Sequence, residues 1–230
     1  MMSFNSEQVE IVSNFKDLVK FEFYENKNAT CWQRELEGDF EEIVAKLVLI
    51  DDITEVSIGD LLALKLSEKG NKAREIIIED LNKLTEFGAQ PTLNLLKSYT
   101  RDEEFDLIST DVYSFHVDRS PILIDTYLCT YYGASSDIIS NDQVTQKILI
   151  PEIREKLKEY YDVSDGYFDE FLKENFFDLH YHLHKDAIPT NLGIGHLWRL
   201  AVDHPDQPVF PCVHRAPKEN DGQLRLLLIC

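Results

Sequence analysis

No run of lysines or arginines occurs in this chain, and acidic residues outnumber basic ones by 42 to 23. The formal charge of −19 argues against a non-specific nucleic-acid binder and against a protein resting on anionic membranes, since both need a basic footprint. Apolar runs are short: none approaches the roughly 20 residues that a membrane span requires. The segment Met1-Met2-Ser3-Phe4-Asn5-Ser6-Glu7 lacks a basic region followed by an apolar stretch. No secretory signal is read there, and a cytoplasmic location is expected. Cysteine is scarce. Cys31, Cys129, Cys212 and Cys230 are scattered without a Cys-x-x-Cys pair, which supports neither a zinc ribbon, a redox motif nor a disulfide scaffold; reduced thiols are expected. Asn28-Ala29-Thr30 matches a glycosylation acceptor but, without a secretion signal, reads as chance. Internal repeats, low-complexity tracts and Pro/Gly-rich linkers are missing, as are a Gly-rich phosphate loop, a nucleophile elbow and a zinc-protease helix motif.

What is present is the composition of a folded domain, 43% hydrophobic and 11% aromatic, with 230 residues forming a single domain over 1–230. Phe40, Ile43, Val44, Leu47 and Val48 form one stripe, predicting a helix over 39–50 with Asp39 and Glu42 as a capping box. A second helix is predicted over 71–87, with Ile77, Leu81 and Leu84 on one face and Gly88 at its C-terminal cap. From 91 to 133 the chain turns to Thr, Tyr, Val and Ile, and strands are expected near 92–99, 110–117 and 121–132. Pro151 suits a first helical position, followed by Ile153, Leu157 and Tyr160. Ser164 could cap a further helix carrying Phe168, Phe171, Leu172 and Phe176. Strand-like sequence then runs to the end. The expected class is α+β: a helical N-terminal part over about 1–90, a β-core over about 91–230, and a helical insertion near 150–178. Among all-β cores, a double-stranded β-helix (jelly roll) is the solution that cupin-like metal enzymes use.

His116-Val117-Asp118 is the most informative motif. On an extended strand, residues i and i+2 share a face, roughly 6.5–7 Å apart. Both side chains can therefore converge on one ion while Val117 turns into packing. Alone, His-x-Asp is a weak signal, and a surface salt bridge leading into Arg119-Ser120-Pro121 is the plainer reading. His214, 98 residues on, strengthens it: two histidines and a carboxylate form the facial triad that holds non-heme Fe(II) with open positions. If the strands around 209–214 and 224–229 form a hairpin centred between 219 and 220, Arg225 lies opposite His214. With a tight Asp221-Gly222 turn, Ile229 faces His214 and Arg225 stays on the same side, further along. An arginine within Leu224-Arg225-Leu226-Leu227-Leu228-Ile229 needs a partner. A dicarboxylate cosubstrate supplies one by bidentate pairing; an arginine snorkelling outward, or paired with an internal acid, is the alternative.

The order His-x-Asp, distant His, then Arg resembles the Fe(II)/2-oxoglutarate-dependent oxygenases. More closely, nearly the whole chain resembles an uncharacterised bacterial domain-of-unknown-function family. That likeness runs through Cys31-Trp32-Gln33-Arg34, Phe115-His116-Val117-Asp118, Thr130-Tyr131-Tyr132-Gly133, Val213-His214-Arg215-Ala216-Pro217 and Leu224-Arg225-Leu226-Leu227-Leu228. After Gly133 the family pattern continues Gly-Thr-Glu-Trp, whereas this chain has Ala134-Ser135-Ser136-Asp137. The interval between ligands is also long, in keeping with a helical insertion. The family implies no established activity. The oxygenase resemblance implies His116, Asp118 and His214 as ligands of Fe(II), and Arg225 on 2-oxoglutarate, helped by Tyr127 or Arg215. The alternative is a non-catalytic protein holding zinc at the same triad or within His180, His182 and His184. As a strand these last three share a face with the outer two roughly 13 Å apart, so a polar, solvent-facing side opposite buried Tyr181 and Leu183 is the plainer reading. Trp32 and Trp198 read as packing anchors, His196 and His204 as ordinary. The substrate is not legible.

Overall fold

The computed structural model describes residues 7–101, 108–161 and 166–230. The chain opens with β1 (Val9–Val12), α1 (Phe15–Lys20), β2 (Ala29–Trp32), α2 (Phe40–Lys46), β3 (Ile53–Glu55), α3 (Ile58–Ala63) and α4 (Glu68–Phe87). Each helix starts at a side-chain cap: Asn14, Asp39, Ser57 and Ser67 accept from the backbone N–H three residues on, satisfying donors that the first turn leaves over. At α2 only half of the expected capping box forms. The Glu42 carboxylate instead accepts from the backbone and hydroxyl of Ser67, at 3.0 and 2.6 Å, tying α2 to the start of α4. α2 also ends at Lys46 rather than 50. Leu47 and Leu49 are partly buried while Val48 and Ile50 are exposed, the period-two alternation of an extended segment. In α4, Ala73, Ile77, Leu81 and Leu84 are buried at helical spacing; burying each Leu or Ile contributes roughly 1.5–3 kcal/mol. Gly88 takes the left-handed conformation expected of it, φ 100°, and donates back to Leu84 and Thr85.

The remainder supplies β4 (Thr92–Leu96), β5 (Thr126–Tyr132), β6 (Asp137–Ile139), β7 (Val144–Gln146), α5 (Pro151–Tyr161), α6 (Phe168–Glu174), β8 (Tyr181–Leu183), β9 (Thr190–Asn191), β10 (Leu197–Leu200), β11 (Val213–Arg215) and β12 (Arg225–Ile229). A seven-stranded, mostly antiparallel sheet has the order β1-β2-β10-β5-β12-β4-β3; a smaller sheet runs β11-β6-β9, and β7 pairs with β8. The expectation of a helical front is corrected here: β1 and β2 extend one edge of the large sheet and β3 the other. No regular strand covers 110–117 either. His116 alone bridges His214 on one side and His180 on the other, so one residue extends the small sheet past β11. From β4 onward the chain alternates between sheets: β4 large, His116 small, β5 large, β6 and β9 small, β10 large, β11 small, β12 large.

The hairpin expected between the strands of His214 and Arg225 does not form. β11 pairs with β6, and β12 inserts between β4 and β5. The reason lies in composition: β12 is apolar on both faces, which suits a central strand buried on both sides. Leu226 and Leu228 join Leu93, Leu95, Cys129 and Tyr131 in a core under the helices. Leu227 joins Leu96, Leu128, Trp198, Ile138 and Cys212 in a second core between the sheets. Phe115, Val117, Ile139 and Val213 back the small sheet. The helical insertion carries its own cluster, with Leu157, Phe168, Leu172 and Phe177. Ser164 lies outside the described residues; Phe176 falls beyond α6, at φ 59° and 58% exposed. Trp198 is fully buried, with its indole N–H on the Leu192 carbonyl at 2.9 Å. All four cysteines are free thiols. No helix among the described residues is long and apolar enough to cross a membrane.

Candidate metal centre and cavity

Between the inner faces of the two sheets lies a cavity of about 280 Å³, small for a ligand pocket yet in the range that holds a compact one. His116, Asp118 and His214 line it, and Arg225 lines it as well. The three expected ligands converge: one ligand atom from each lies within 4.8 Å of the others. Asp118 Oδ1 is 3.9 Å from His116 Nε2, and Oδ2 is 3.5 Å from His214 Nε2. Local backbone explains the convergence. His116 and His214 face each other across paired 2.8 Å main-chain hydrogen bonds, so their rings share a side, with centroids 4.6 Å apart.

Both imidazoles are set in one tautomer by the same device. His116 Nδ1 lies 2.7 Å from the Ser114 carbonyl and His214 Nδ1 3.1 Å from that of Cys212. A carbonyl only accepts, so each Nδ1 carries the proton and each Nε2 lone pair is left for a cation. Burial, with His214 nearby, holds the pKa of His116 down to about 4, so the ring is neutral at pH 7. Burial alone would raise the Asp118 carboxyl; the two imidazoles and a hydrogen bond from Thr126 outweigh it, and the group titrates below its ordinary value. Neutral imidazoles and an ionised carboxylate are the states that bind a metal. Thr126, from β5 on the opposite sheet, donates its hydroxyl to Asp118 Oδ2 at 2.5 Å.

Arg225 sits at the other end, 7% exposed. One terminal nitrogen donates to the hydroxyls of Thr130 and Ser136, at 3.1 and 2.9 Å. Its buried Nε has no hydrogen-bond partner, and among the described residues no carboxylate lies in salt-bridge reach. Thr126 and Thr130 stand four residues apart on β5, roughly 13 Å at the strand rise. That strand is a ruler: one end holds Asp118, the other Arg225. The wall between is apolar, with Leu96, Leu128, Leu227 and Ile229.

Tyr127 and Arg215 are not brought to the cavity. Tyr127 alternates to the far face of β5, buried against Phe87 under the helices. Arg215 pairs with Asp137 at 2.9 Å and stacks over Phe115. His180 is buried with its ring 5.7 Å from that of His116; His182 is exposed; His184 bonds Thr145 at 2.9 Å. Thr126, Thr130, Ser136 and Asn94 were not read from sequence. Asn94 had a visible signal, being a lone amide in the apolar strand Leu93-Asn94-Leu95-Leu96, the same kind of anomaly that drew attention to Arg225. No protein-family model, curated protein or solved structure matches the chain.

Proposed function

We propose that this protein is a non-heme Fe(II)- and 2-oxoglutarate-dependent oxygenase built on a double-stranded β-helix. The strand alternation supports the fold: a chain that passes repeatedly between two facing antiparallel sheets is wound as a jelly roll. The observation that carries the function is the pairing, in one cavity, of a two-histidine, one-carboxylate set with a buried arginine that, among the described residues, has no carboxylate in salt-bridge reach. His116, His214 and Asp118 would hold the metal, leaving positions open for other ligands. Arg225 would take the distal carboxylate of 2-oxoglutarate with Thr130 and Ser136 beside it, a charge-assisted pairing that answers the orphaned Nε. The spacing set by β5 is of the order that a five-carbon diacid bridges when it is hydrogen-bonded at one end and coordinated at the other.

Iron, when bound, would supply the oxygen chemistry together with its cosubstrate. The chain's own part is placement. Ser114 and Cys212 carbonyls hold the imidazole tautomers, Thr126 orients the carboxylate, and the leucines make the wall beside them apolar. Anaerobic titration with Fe(II) and 2-oxoglutarate tests the reading through the weak visible charge-transfer band of the chelate. The band is expected in the native protein and lost in His116→Ala and Arg225→Met. No band in the native protein, or stoichiometric zinc indifferent to 2-oxoglutarate, sinks it in favour of a non-catalytic zinc protein.

A further inference from the structure

We infer that the open part of the cavity takes an apolar chain ending in an amine, held by Asn94. This deepens the oxygenase reading by naming a substrate class, and rests on the cavity being the substrate chamber. Of the polar groups lining the cavity, the triad would hold the metal, Ser136 accepts from Arg225, and the Tyr99 ring packs edge-on against Tyr113 at the end of the cavity where Arg225 lies. Asn94 remains.

The orientation of its amide is fixed by a relay. Asn94 Nδ2 donates to Thr92 Oγ1 at 3.0 Å, and that hydroxyl donates to the Ile229 carbonyl at 3.3 Å. Because the carbonyl only accepts, the hydroxyl must point its proton there and receive from the amide nitrogen. The Asn94 carbonyl oxygen is left over, with no hydrogen bond among the described residues. Glu55 is directly opposite Asn94 in the β3–β4 register, hence on the same face, and it is exposed without a salt bridge among the described residues. Two acceptors side by side, one charged, select a cationic N–H donor and repel an acceptor. Leu96, Leu128, Leu227 and Ile229 would cover the apolar stem.

The test is calorimetry on the full chain, freed of metal by chelation, with 1-hexylamine, 1-hexanol and hexyltrimethylammonium as probes. The last keeps the charge but has no N–H. Hexylamine should bind about tenfold more tightly than either, the scale of one hydrogen bond to a charged group. Asn94→Leu should erase that preference. Asn94→Asp should raise hexylamine affinity above native, a result that a misfolded variant cannot give. Asp118→Asn should leave the preference in place, excluding capture of the amine at the metal centre. Equal affinities, binding of no probe, a preference that survives Asn94→Leu, or one that Asp118→Asn removes would each overturn the inference. The probes require neither iron nor 2-oxoglutarate. A charge-transfer band without an amine preference therefore sinks the substrate class alone, and the reverse sinks the oxygenase reading alone.

Discussion

The two faces of the large sheet carry arginines with opposite wiring, Arg34 largely buried and Arg225 fully so. On the helix-covered face, Arg34 pairs with both oxygens of Asp80 at 2.7 and 2.5 Å, donates to the Gly195 carbonyl at 2.7 Å and stacks over Trp32. Asp80 also accepts from the Tyr131 hydroxyl at 2.7 Å. Charge and hydrogen-bonding capacity are answered there from within, so the network joins α4 to β5 and has nothing to offer a ligand. On the cavity face, Arg225 has two hydroxyls, an orphan Nε and, among the described residues, no carboxylate in salt-bridge reach. The same side chain is a rivet on one face and incompletely partnered on the other. The number of partners, rather than burial, tells them apart.

The largest effect should come from breaking the answered side. Asp80→Ala leaves a buried guanidinium uncompensated, and loss of about 3–5 kcal/mol is expected by denaturant unfolding. A cost below about 1 kcal/mol would remove the contrast. Next, the metal end should make the metal-free protein sensitive to acid. His116 is held at about 4 against an unfolded value near 6.5, so between these the unfolded chain binds more protons. Stability should therefore fall as pH drops from about 6.5 to about 4, by a total on the order of 3 kcal/mol. The Asp118 carboxyl, depressed below its ordinary value, adds its own loss only at lower pH. His116→Gln should flatten the slope; an unchanged slope places its origin elsewhere.

A smaller effect is expected across the sheets. Thr126→Val removes the hydroxyl that orients Asp118 while keeping shape, and Co(II) affinity read by absorbance should weaken about tenfold or more, with Thr126→Ser restoring it. The smallest effect has the opposite sign to the first. Arg225→Met replaces an unanswered buried charge with an apolar chain and should leave stability unchanged or raise it by about 1 kcal/mol, while 2-oxoglutarate no longer protects the protein against heat. Strong destabilisation would mean that Arg225 is a second rivet.

Much of this contrast was legible before any fold was known, but unevenly. Periodicity and caps located α2 and α4, because a helix writes its buried face and its start into neighbouring residues. The triad was legible because two of its members are two residues apart and the third shares their residue type. Arg225 was placed on the correct side through a hairpin that does not exist. Its side follows instead from alternation along β12, where Arg225, Leu227 and Ile229 line the cavity and Leu226 and Leu228 face the helices. Alternation along β5 could have warned against Tyr127, whose neighbours Thr126 and Leu128 face inward. Four-residue strands such as β1 and β2 are too short to show a period. Thr126 and Asp118 touch only across sheets, and nothing local records such a contact.

The position of β12 reaches into how the molecule is made. It is the last in chain order of the strands described, yet it lies inside the large sheet, fifth of the seven and flanked by β4 and β5. Until it arrives, those two strands present a slot with raw edges on either side, open to any extended peptide. Closing that slot joins residues more than 130 positions apart, as Ile229 meets Thr92, a late and slow event for a polymer searching by diffusion. The strand that completes the architecture is also the one that carries the guanidinium. A half-folded chain therefore has a gap where Arg225 belongs, and that wall of the cavity and the finished sheet come into being in a single step.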